Sequence, residues 1–274
     1  MPRLTTADDT TLYYKDWNGG GRAVVLIHGW PLNADSWDRI GFALAQAGHR
    51  VIAYDRRGFG RSDQPWTGYD YDTLADDLRD VLTKTGVQDA AIVGFSMGGG
   101  EVARYMSRHN GQGVRSAALI SSVVPYMLKT DDNPDGVPQS TFAAMTKGML
   151  EDRAHFMKGF LKDFFGQGVI LNSVSDELLH WAWGMCMQAG LRPTLACAEA
   201  FGTTDFRPDL PAFTVPTLVI HGTKDQTVPI DAAGRAAAKR ISGAQLIEYD
   251  GEPHGLIATA TDRLIDDLKQ FLMQ

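Results

Sequence analysis

The chain has 274 residues and a formal net charge of −7, because 33 acidic residues outnumber the 26 Lys and Arg residues. Its hydrophobic content of 44% and charged content of 22% are typical of a globular protein, built as one sizeable domain or as a domain with an insertion. The acidic balance argues against nucleic acid or an anionic membrane as a partner, and no apolar run approaches the ~20 residues that a membrane span needs.

The N-terminal segment predicts the location of the protein and its first strand. Residues 1–9 lack the apolar stretch of a secretory signal, which favours a cytoplasmic protein. The run Leu12–Trp17 is followed by Asn18 and three glycines. This pattern predicts an antiparallel edge strand that turns into the sheet.

Short apolar runs recur along the rest of the chain. They are Val24–Ile27, Val51–Tyr54, Ala90–Val93, Ala117–Ile120, Thr217–Ile220 and Leu246–Tyr249. Most are apolar throughout rather than alternating, which is typical of strands buried on both faces of a parallel sheet.

Amphipathic segments separate several of these runs. One places Leu74, Leu78, Val81 and Leu82 on a single helical face, with Asp72 as the predicted cap and Gly86 as the predicted end. A similar face at the C-terminus includes Leu264, Leu268 and Leu272. Alternation of strands and helices predicts a doubly wound α/β domain.

The alternation breaks between Tyr126 and Pro211 and resumes at Val215. The intervening segment has helical patterns rich in Met, Phe and Trp, and it lacks a strand-like run of comparable quality. We therefore predict an α/β core formed by residues 1–125 and 212–274, with residues 126–211 as a helical cap, or lid, over one end of the sheet. A satellite core would produce the same composition.

The segment Gly94-Phe95-Ser96-Met97-Gly98 matches the pattern G-x-S-x-G. It directly follows a predicted strand and directly precedes a helical pattern, which is the setting of a nucleophile elbow. The alternative is a glycine-rich phosphate loop, which requires a Gly-Lys pair that this sequence lacks. The pattern predicts Ser96 as a nucleophile.

A serine hydroxyl needs a base, and the base needs an acid that orients it. Asp225 follows the strand Thr217–Ile220, and His254 follows the strand Leu246–Tyr249. The chain order is therefore Ser, acid, His, which is the order found in folds that have a nucleophile elbow. Asp250 and Glu252 are alternative acids, but they adjoin His254 too closely in sequence to reach its ring easily. Other histidines are weaker candidates for the base: His221 at a strand end, and His109, His155 and His180 in helical contexts.

A serine that attacks a carbonyl carbon also needs two N–H donors for the oxyanion that forms. Met97, directly after the nucleophile, is expected to supply one of them. Trp30, in the loop that follows the strand Val24–Ile27, is expected to supply the other. Pro31 has no N–H to donate. We interpret His28 in the same loop as a scaffold residue.

Four segments carry a resemblance to a known family, and together they are more specific than G-x-S-x-G alone. They are His28–Trp30, Tyr54–Ser62, Gly94–Gly99 and Thr204–Asp209. They resemble the α/β-hydrolase family of cofactor-free bacterial haloperoxidases, perhydrolases and arylesterases. The resemblance implies an α/β-hydrolase fold, with a mostly parallel sheet of about eight strands flanked by helices and a helical lid insertion.

The resemblance further implies a triad of Ser96, Asp225 and His254, with the Trp30 and Met97 amides as the oxyanion hole. It implies a homo-oligomer that uses no metal or other cofactor. The implied substrates are small carboxylic esters and hydrogen peroxide, which accepts the acyl group to form a peracid. Two alternatives stay open, a γ-lactam or amide hydrolase and a non-catalytic receptor for small ligands.

Large apolar residues at the elbow, in the lid and in the acid loop are candidates for the wall of a substrate pocket. Any one of them is equally suited to a place in the core. The candidates are Trp30, Phe95, Val123, Met127, Phe142, Phe156, Phe160 and Val228.

Overall fold

Apolar runs in the sequence form the centre of a single sheet in a computed structural model, which describes residues 2–168 and 173–273. The strands are β1 (Arg3–Thr5), β2 (Thr11–Trp17), β3 (Ala23–Ile27), β4 (Arg50–Tyr54), β5 (Ala90–Phe95), β6 (Val114–Ile120), β7 (Thr217–Gly222) and β8 (Gln245–Tyr249). They are arranged in the order β1-β2-β4-β3-β5-β6-β7-β8. Every residue of β3, β5 and β7 is buried, as expected for strands covered on both faces.

The parallel and antiparallel parts of the sheet divide at β4. Strands β3 to β8 pair in parallel, whereas β2 pairs with β4 and with β1 in antiparallel fashion. The prediction of Leu12–Trp17 as an edge strand was therefore wrong in its position. The edge belongs to β1, which places Leu4 opposite Leu12 and is too short to produce a sequence pattern.

Helices connect the strands and cover the sheet. They are α1 (Asp38–Gln46), α2 (Tyr71–Lys84), α3 (Met97–Arg108), α4 (Gln139–Phe164), α5 (Asp176–Gln188), α6 (Leu191–Thr203), α7 (Gly234–Arg240), α8 (Leu256–Thr259) and α9 (Thr261–Leu272). Short 3₁₀ turns cover Ala34–Trp37 and Arg207–Ala212. Helix α1 packs against α9, and α2 packs against α3.

The cap of α2 differs from the prediction. Asp70, rather than Asp72, accepts a hydrogen bond from the Thr73 N–H and caps the helix. The helix begins at Tyr71, two residues earlier than a cap at Asp72 implies, and Tyr71 is also buried. Gly86 follows the helix with a φ of +66°, a conformation that glycine adopts without strain.

Three helices, α4 to α6, lie in the chain between β6 and β7. Helix α4 is broken at Asp152, whose φ of −156° is not helical and whose carboxylate accepts from the His155 N–H at 3.0 Å. That residues 126–211 form a cap separate from the core stays a prediction. Among the helices of the described residues, none is long and apolar enough to cross a membrane.

Candidate active site

Ser96 lies in the tight turn between β5 and α3. Its φ of +53° and ψ of −120° are rare for a residue with a side chain. The turn depends on glycine: a Cβ added to Gly94 would lie 2.4 Å from the Gly98 carbonyl oxygen. A Cβ added to Gly98 would lie 2.5 Å from the Ile27 carbonyl oxygen, so α3 also lies close to the end of β3. This close approach is what the glycines of the G-x-S-x-G pattern allow.

Three predicted site residues meet at this turn. His254 Nε2 lies 2.9 Å from Ser96 Oγ, and His254 Nδ1 lies 2.7 Å from Asp225 Oδ2. All three residues are buried. The distances join a hydroxyl, an imidazole and a carboxylate in one chain of hydrogen bonds, which is the arrangement that activates a serine nucleophile.

Asp225 is held by its own loop as well as by His254. Its Oδ1 accepts from the backbone N–H groups of Thr227 at 2.9 Å and Val228 at 2.7 Å. Burial raises the pKa of Asp225, but His254 and His221 outweigh this effect and lower the pKa to about 2. The carboxylate is therefore ionised at neutral pH and can orient an imidazole.

Aromatic rings enclose the His254 imidazole. The Phe95 ring lies 5.3 Å from it at 32°, and the Phe164 ring lies 4.7 Å from it at 81°. The Phe164 carbonyl also accepts from the Gly255 N–H at 2.7 Å, which ties α4 to the loop of the histidine. Sequence reasoning missed Phe164, because its apolar helical setting resembles that of many core residues.

The loop after β3 lies beside Ser96. A Cβ added to Gly29 would lie 3.0 Å from Ser96 Cβ, so this loop closely approaches the nucleophile. Among the described residues, neither the Trp30 N–H nor the Met97 N–H has a hydrogen-bond acceptor. Both amides are therefore available to an oxyanion, although their role in catalysis stays a prediction.

A buried polar network supports this loop from below. The Arg56 guanidinium pairs with Glu101 on α3 and donates to the His28 carbonyl oxygen at 2.6 Å. His28 Nε2 accepts from the Arg56 N–H at 3.0 Å, so Nδ1 donates to the Gly29 carbonyl oxygen at 2.9 Å. Burial, followed by the charge of Arg56, lowers the pKa of His28 well below its usual value. A neutral, fully bonded His28 fits a scaffold role.

Ser96 and His254 open into a cavity of about 520 Å³. Seven of the predicted wall residues line it: Trp30, Val123, Met127, Phe142, Phe156, Phe160 and Val228. Phe95 was predicted as a wall residue, but it lies behind the wall. It is fully buried and packs against Trp37, Phe164 and His254.

The cavity is also lined by residues that the sequence does not predict as wall residues. Phe201 packs edge-on against Trp30 at 5.5 Å, and the Trp30 indole donates to the Thr194 carbonyl oxygen at 3.0 Å. Helix α6 therefore fixes the ring of the proposed oxyanion residue. The polar side chains on the wall are Thr141, His155, Asp163, Gln226 and Thr227.

The two cysteines, Cys186 and Cys197, lie outside this cavity. Burial raises the pKa of the Cys186 and Cys197 thiols to about 12, so neither is a thiolate near neutral pH. Within residues 2–168 and 173–273, no group of three His, Cys, Asp or Glu side chains is arranged to hold a metal ion.

Comparisons with known proteins agree with this fold. Residues 22–164 match the family model described as alpha/beta hydrolase fold. A non-heme chloroperoxidase of Kitasatospora aureofaciens is 47% identical over 99% of both chains. A bifunctional esterase/perhydrolase of Acinetobacter calcoaceticus is 39% identical, also over 99% of both. The crystal structure of a bromoperoxidase from Bacillus anthracis superposes with a TM-score of 0.95, at 40% identity and over 100% of both chains.

Proposed function

Because this chain belongs to the cofactor-free haloperoxidase family of the α/β hydrolases, we propose that it cleaves small carboxylic esters through an acyl-enzyme on Ser96. Hydrogen peroxide is proposed as a second acceptor of the acyl group. One observation carries the proposal, the continuous chain of hydrogen bonds from Ser96 through His254 to Asp225 at the foot of an apolar cavity.

Acylation follows from the positions of these groups. Ser96 Oγ attacks the ester carbonyl carbon while His254 Nε2 takes its proton, and Asp225 holds the imidazole in the correct tautomer. Negative charge then develops on the carbonyl oxygen, where the Trp30 and Met97 amides are proposed to donate. Collapse of the tetrahedral intermediate expels the alkoxide, which leaves as an alcohol with the proton from His254.

Deacylation reverses these roles with a new nucleophile. His254 takes a proton from water or from hydrogen peroxide, and the oxygen of that molecule attacks the acyl carbon. Water gives the carboxylic acid, whereas peroxide gives the peracid. The peracid then transfers its terminal oxygen to a halide ion, which yields hypohalous acid and regenerates the carboxylic acid away from the enzyme.

The test has two assays in the wild type and in Ser96→Ala. One follows the hydrolysis of p-nitrophenyl acetate, and the other follows halogenation with ethyl acetate as the acyl donor, bromide and hydrogen peroxide. We expect Ser96→Ala to lose both activities together, because both need the acyl-enzyme, with a loss of roughly 10⁴-fold or more. Ser121→Ala is the control, since the buried Ser121 hydroxyl has no partner among the described residues. Halogenation at the wild-type rate in Ser96→Ala would contradict the shared intermediate.

Two further properties are proposals with tests of their own. A panel of esters and γ-lactams decides whether amide bonds are also cleaved, and we expect the esters to react faster because alkoxides leave more readily than amines.

We also propose a cytoplasmic homo-oligomer. Light scattering coupled to gel filtration tests the assembly, and a mass of one chain would contradict it.

A further inference from the structure

A second histidine contacts the carboxylate of Asp225. His221 lies in β7 and is fully buried, and its Nε2 is 3.1 Å from Asp225 Oδ2 and 2.9 Å from the Val228 carbonyl oxygen. The same Oδ2 atom lies 2.7 Å from His254 Nδ1. Two imidazoles therefore converge on one carboxylate oxygen, and only one of them reaches Ser96.

The surroundings of His221 define its tautomer. Nε2 faces two acceptors and must carry a hydrogen to satisfy them. Nδ1 is buried, and it has no hydrogen-bond partner within the part of the chain that the structure describes. A Cβ added to Gly234 would lie 2.8 Å from both Cβ and Nδ1 of His221, so the start of α7 packs directly on the ring. This packing fixes the orientation in which Nε2–H faces Asp225.

We propose that His221 is a positioning residue for the reaction, which donates from Nε2 to Asp225 and thereby fixes the carboxylate that orients His254. This inference rests on the proposed function. It assigns to His221 a role separate from that of the base, because its ring contacts Asp225 whereas the hydrogen bond to Ser96 comes from His254.

The contacts of the Asp225 carboxylate predict a chemical effect of His221. Asp225 accepts from the Thr227 and Val228 amides on Oδ1 and from His254 on Oδ2. His221 Nε2 donates to the Val228 carbonyl oxygen and also lies 3.1 Å from Oδ2, so an Nε2–H shared between these two acceptors completes the four acceptor positions of the carboxylate. Without the His221 donor, the carboxylate is more basic and attracts the His254 imidazolium more strongly. Protonation of His254 then begins at higher pH, and the enzyme loses activity on the acid side.

Other ionisable groups near this pair define the background of the experiment. Glu248 lies opposite His221 in the β7–β8 register, and Arg235 at the start of α7 donates to both Glu248 oxygens at 2.6 and 2.7 Å. His155 and Asp163 of α4 line the same cavity as His254. In the adjoining loops, the Lys224 N–H donates to the Glu252 carbonyl oxygen, and Asp250 accepts from Thr223. The variants below change none of these groups.

A matched pair of variants tests the proposal. His221→Gln keeps an N–H donor near the position of Nε2, whereas His221→Met has a similar shape without a donor. We expect the acid limb of the kcat/KM profile to move upward by roughly half a pH unit or more in His221→Met and to keep its wild-type position in His221→Gln. We expect kcat to fall by about tenfold in His221→Met with KM nearly unchanged. Identical acid limbs in the two variants would overturn the proposal.

A measurement on the wild type covers the case in which His221→Met fails to fold. Nitrogen-15 NMR of the histidine side chains reports which ring nitrogen carries the hydrogen. We expect Nε2–H at His221, and Nδ1–H there would overturn the proposal. This result is independent of turnover, whereas failure of the proposed function would appear separately as a wild type without esterase activity.

Discussion

Ser96 has a strained backbone because the surrounding hydrogen bonds leave it little alternative. A positive φ costs a residue with a side chain on the order of 1–3 kcal/mol. The Ser96 N–H donates to the Ile120 carbonyl oxygen at 2.9 Å, and its own carbonyl accepts from Gly99 at 3.0 Å and Val123 at 3.3 Å. These bonds join the turn to the next strand, and they fix the hydroxyl toward His254.

The low pKa of Asp225 determines how kcat/KM depends on pH on the acid side of the profile. With a pKa of about 2, the carboxylate stays ionised over the whole assay range. Activity falls with decreasing pH because His254 must be neutral to take the Ser96 proton. We therefore expect log kcat/KM to fall with a slope of one down to roughly pH 4, where stopped-flow assays remain practical. A slope of two would mean that Asp225 titrates as well.

The sequence was most informative about residues that have a fixed place relative to a strand. Ser96, Asp225 and His254 each follow an apolar run, so the meeting of their loops at one edge of a parallel sheet was predictable. Phe164 was not predictable as a neighbour of the site, because its contact with His254 depends on how α4 packs and a single sequence gives no distance between such elements. His221 was considered only as a weaker base, since its position four residues before Asp225 does not reveal that its ring turns toward the carboxylate.

At the level of elements, a buried ion pair joins the loop after β4 to α3. The Arg56 and Glu101 side chains are both fully buried, and Tyr54 donates to the second Glu101 oxygen at 2.6 Å. We expect Glu101→Leu to lower the free energy of unfolding by about 3–5 kcal/mol, because it leaves the Arg56 charge buried and unpaired. Urea unfolding followed by circular dichroism measures this change.

A double variant separates stability from positioning in this prediction. Arg56→Met combined with Glu101→Leu removes both charges, and we expect it to recover part of the lost stability. It should nevertheless have reduced esterase activity, because the His28 carbonyl loses its Arg56 donor and the adjacent loop loosens. A loss below about 1 kcal/mol in Glu101→Leu alone would show that the pair contributes little.

Element boundaries show where a pattern is sufficient and where it is not. The apolar runs predicted all six parallel strands, β3 to β8, including β8 at the edge of the sheet, because a parallel strand is marked by a short continuous apolar run. They did not predict β1, because three residues produce no periodicity. Nor did they predict the break in α4, where Asp152 leaves helical geometry within an otherwise helical pattern.

At the scale of the whole molecule, one ring lines two cavities. Phe142 lines the cavity that contains Ser96, and it also lines a groove of about 570 Å³ between α4 and α6. We expect Phe142→Ala to join the two spaces and to raise kcat/KM for p-nitrophenyl octanoate relative to the acetate. Burial of two more methylene groups contributes about 1.5 kcal/mol, which corresponds to a roughly tenfold change in this ratio.

Phe156→Ala is the matched control for this change. Phe156 lines the cavity of Ser96 but not the outer groove, so its removal enlarges the cavity without connecting it. Steady-state kinetics on esters of increasing acyl length compare the two variants with the wild type. Equal ratios for Phe142→Ala and Phe156→Ala would mean that volume alone, rather than access to the groove, determines the response.

The connection that carries α4 to α6 begins and ends on neighbouring strands, because β6 and β7 pair side by side. Its two ends are therefore fixed by the sheet, and the entropy of closing a loop grows only slowly with the length of that loop. Residues can be gained, lost or exchanged in this connection without moving Ser96 after β5 or Asp225 after β7. Over evolutionary time, the wall that faces a substrate can therefore diversify while descendants inherit the reacting groups unchanged.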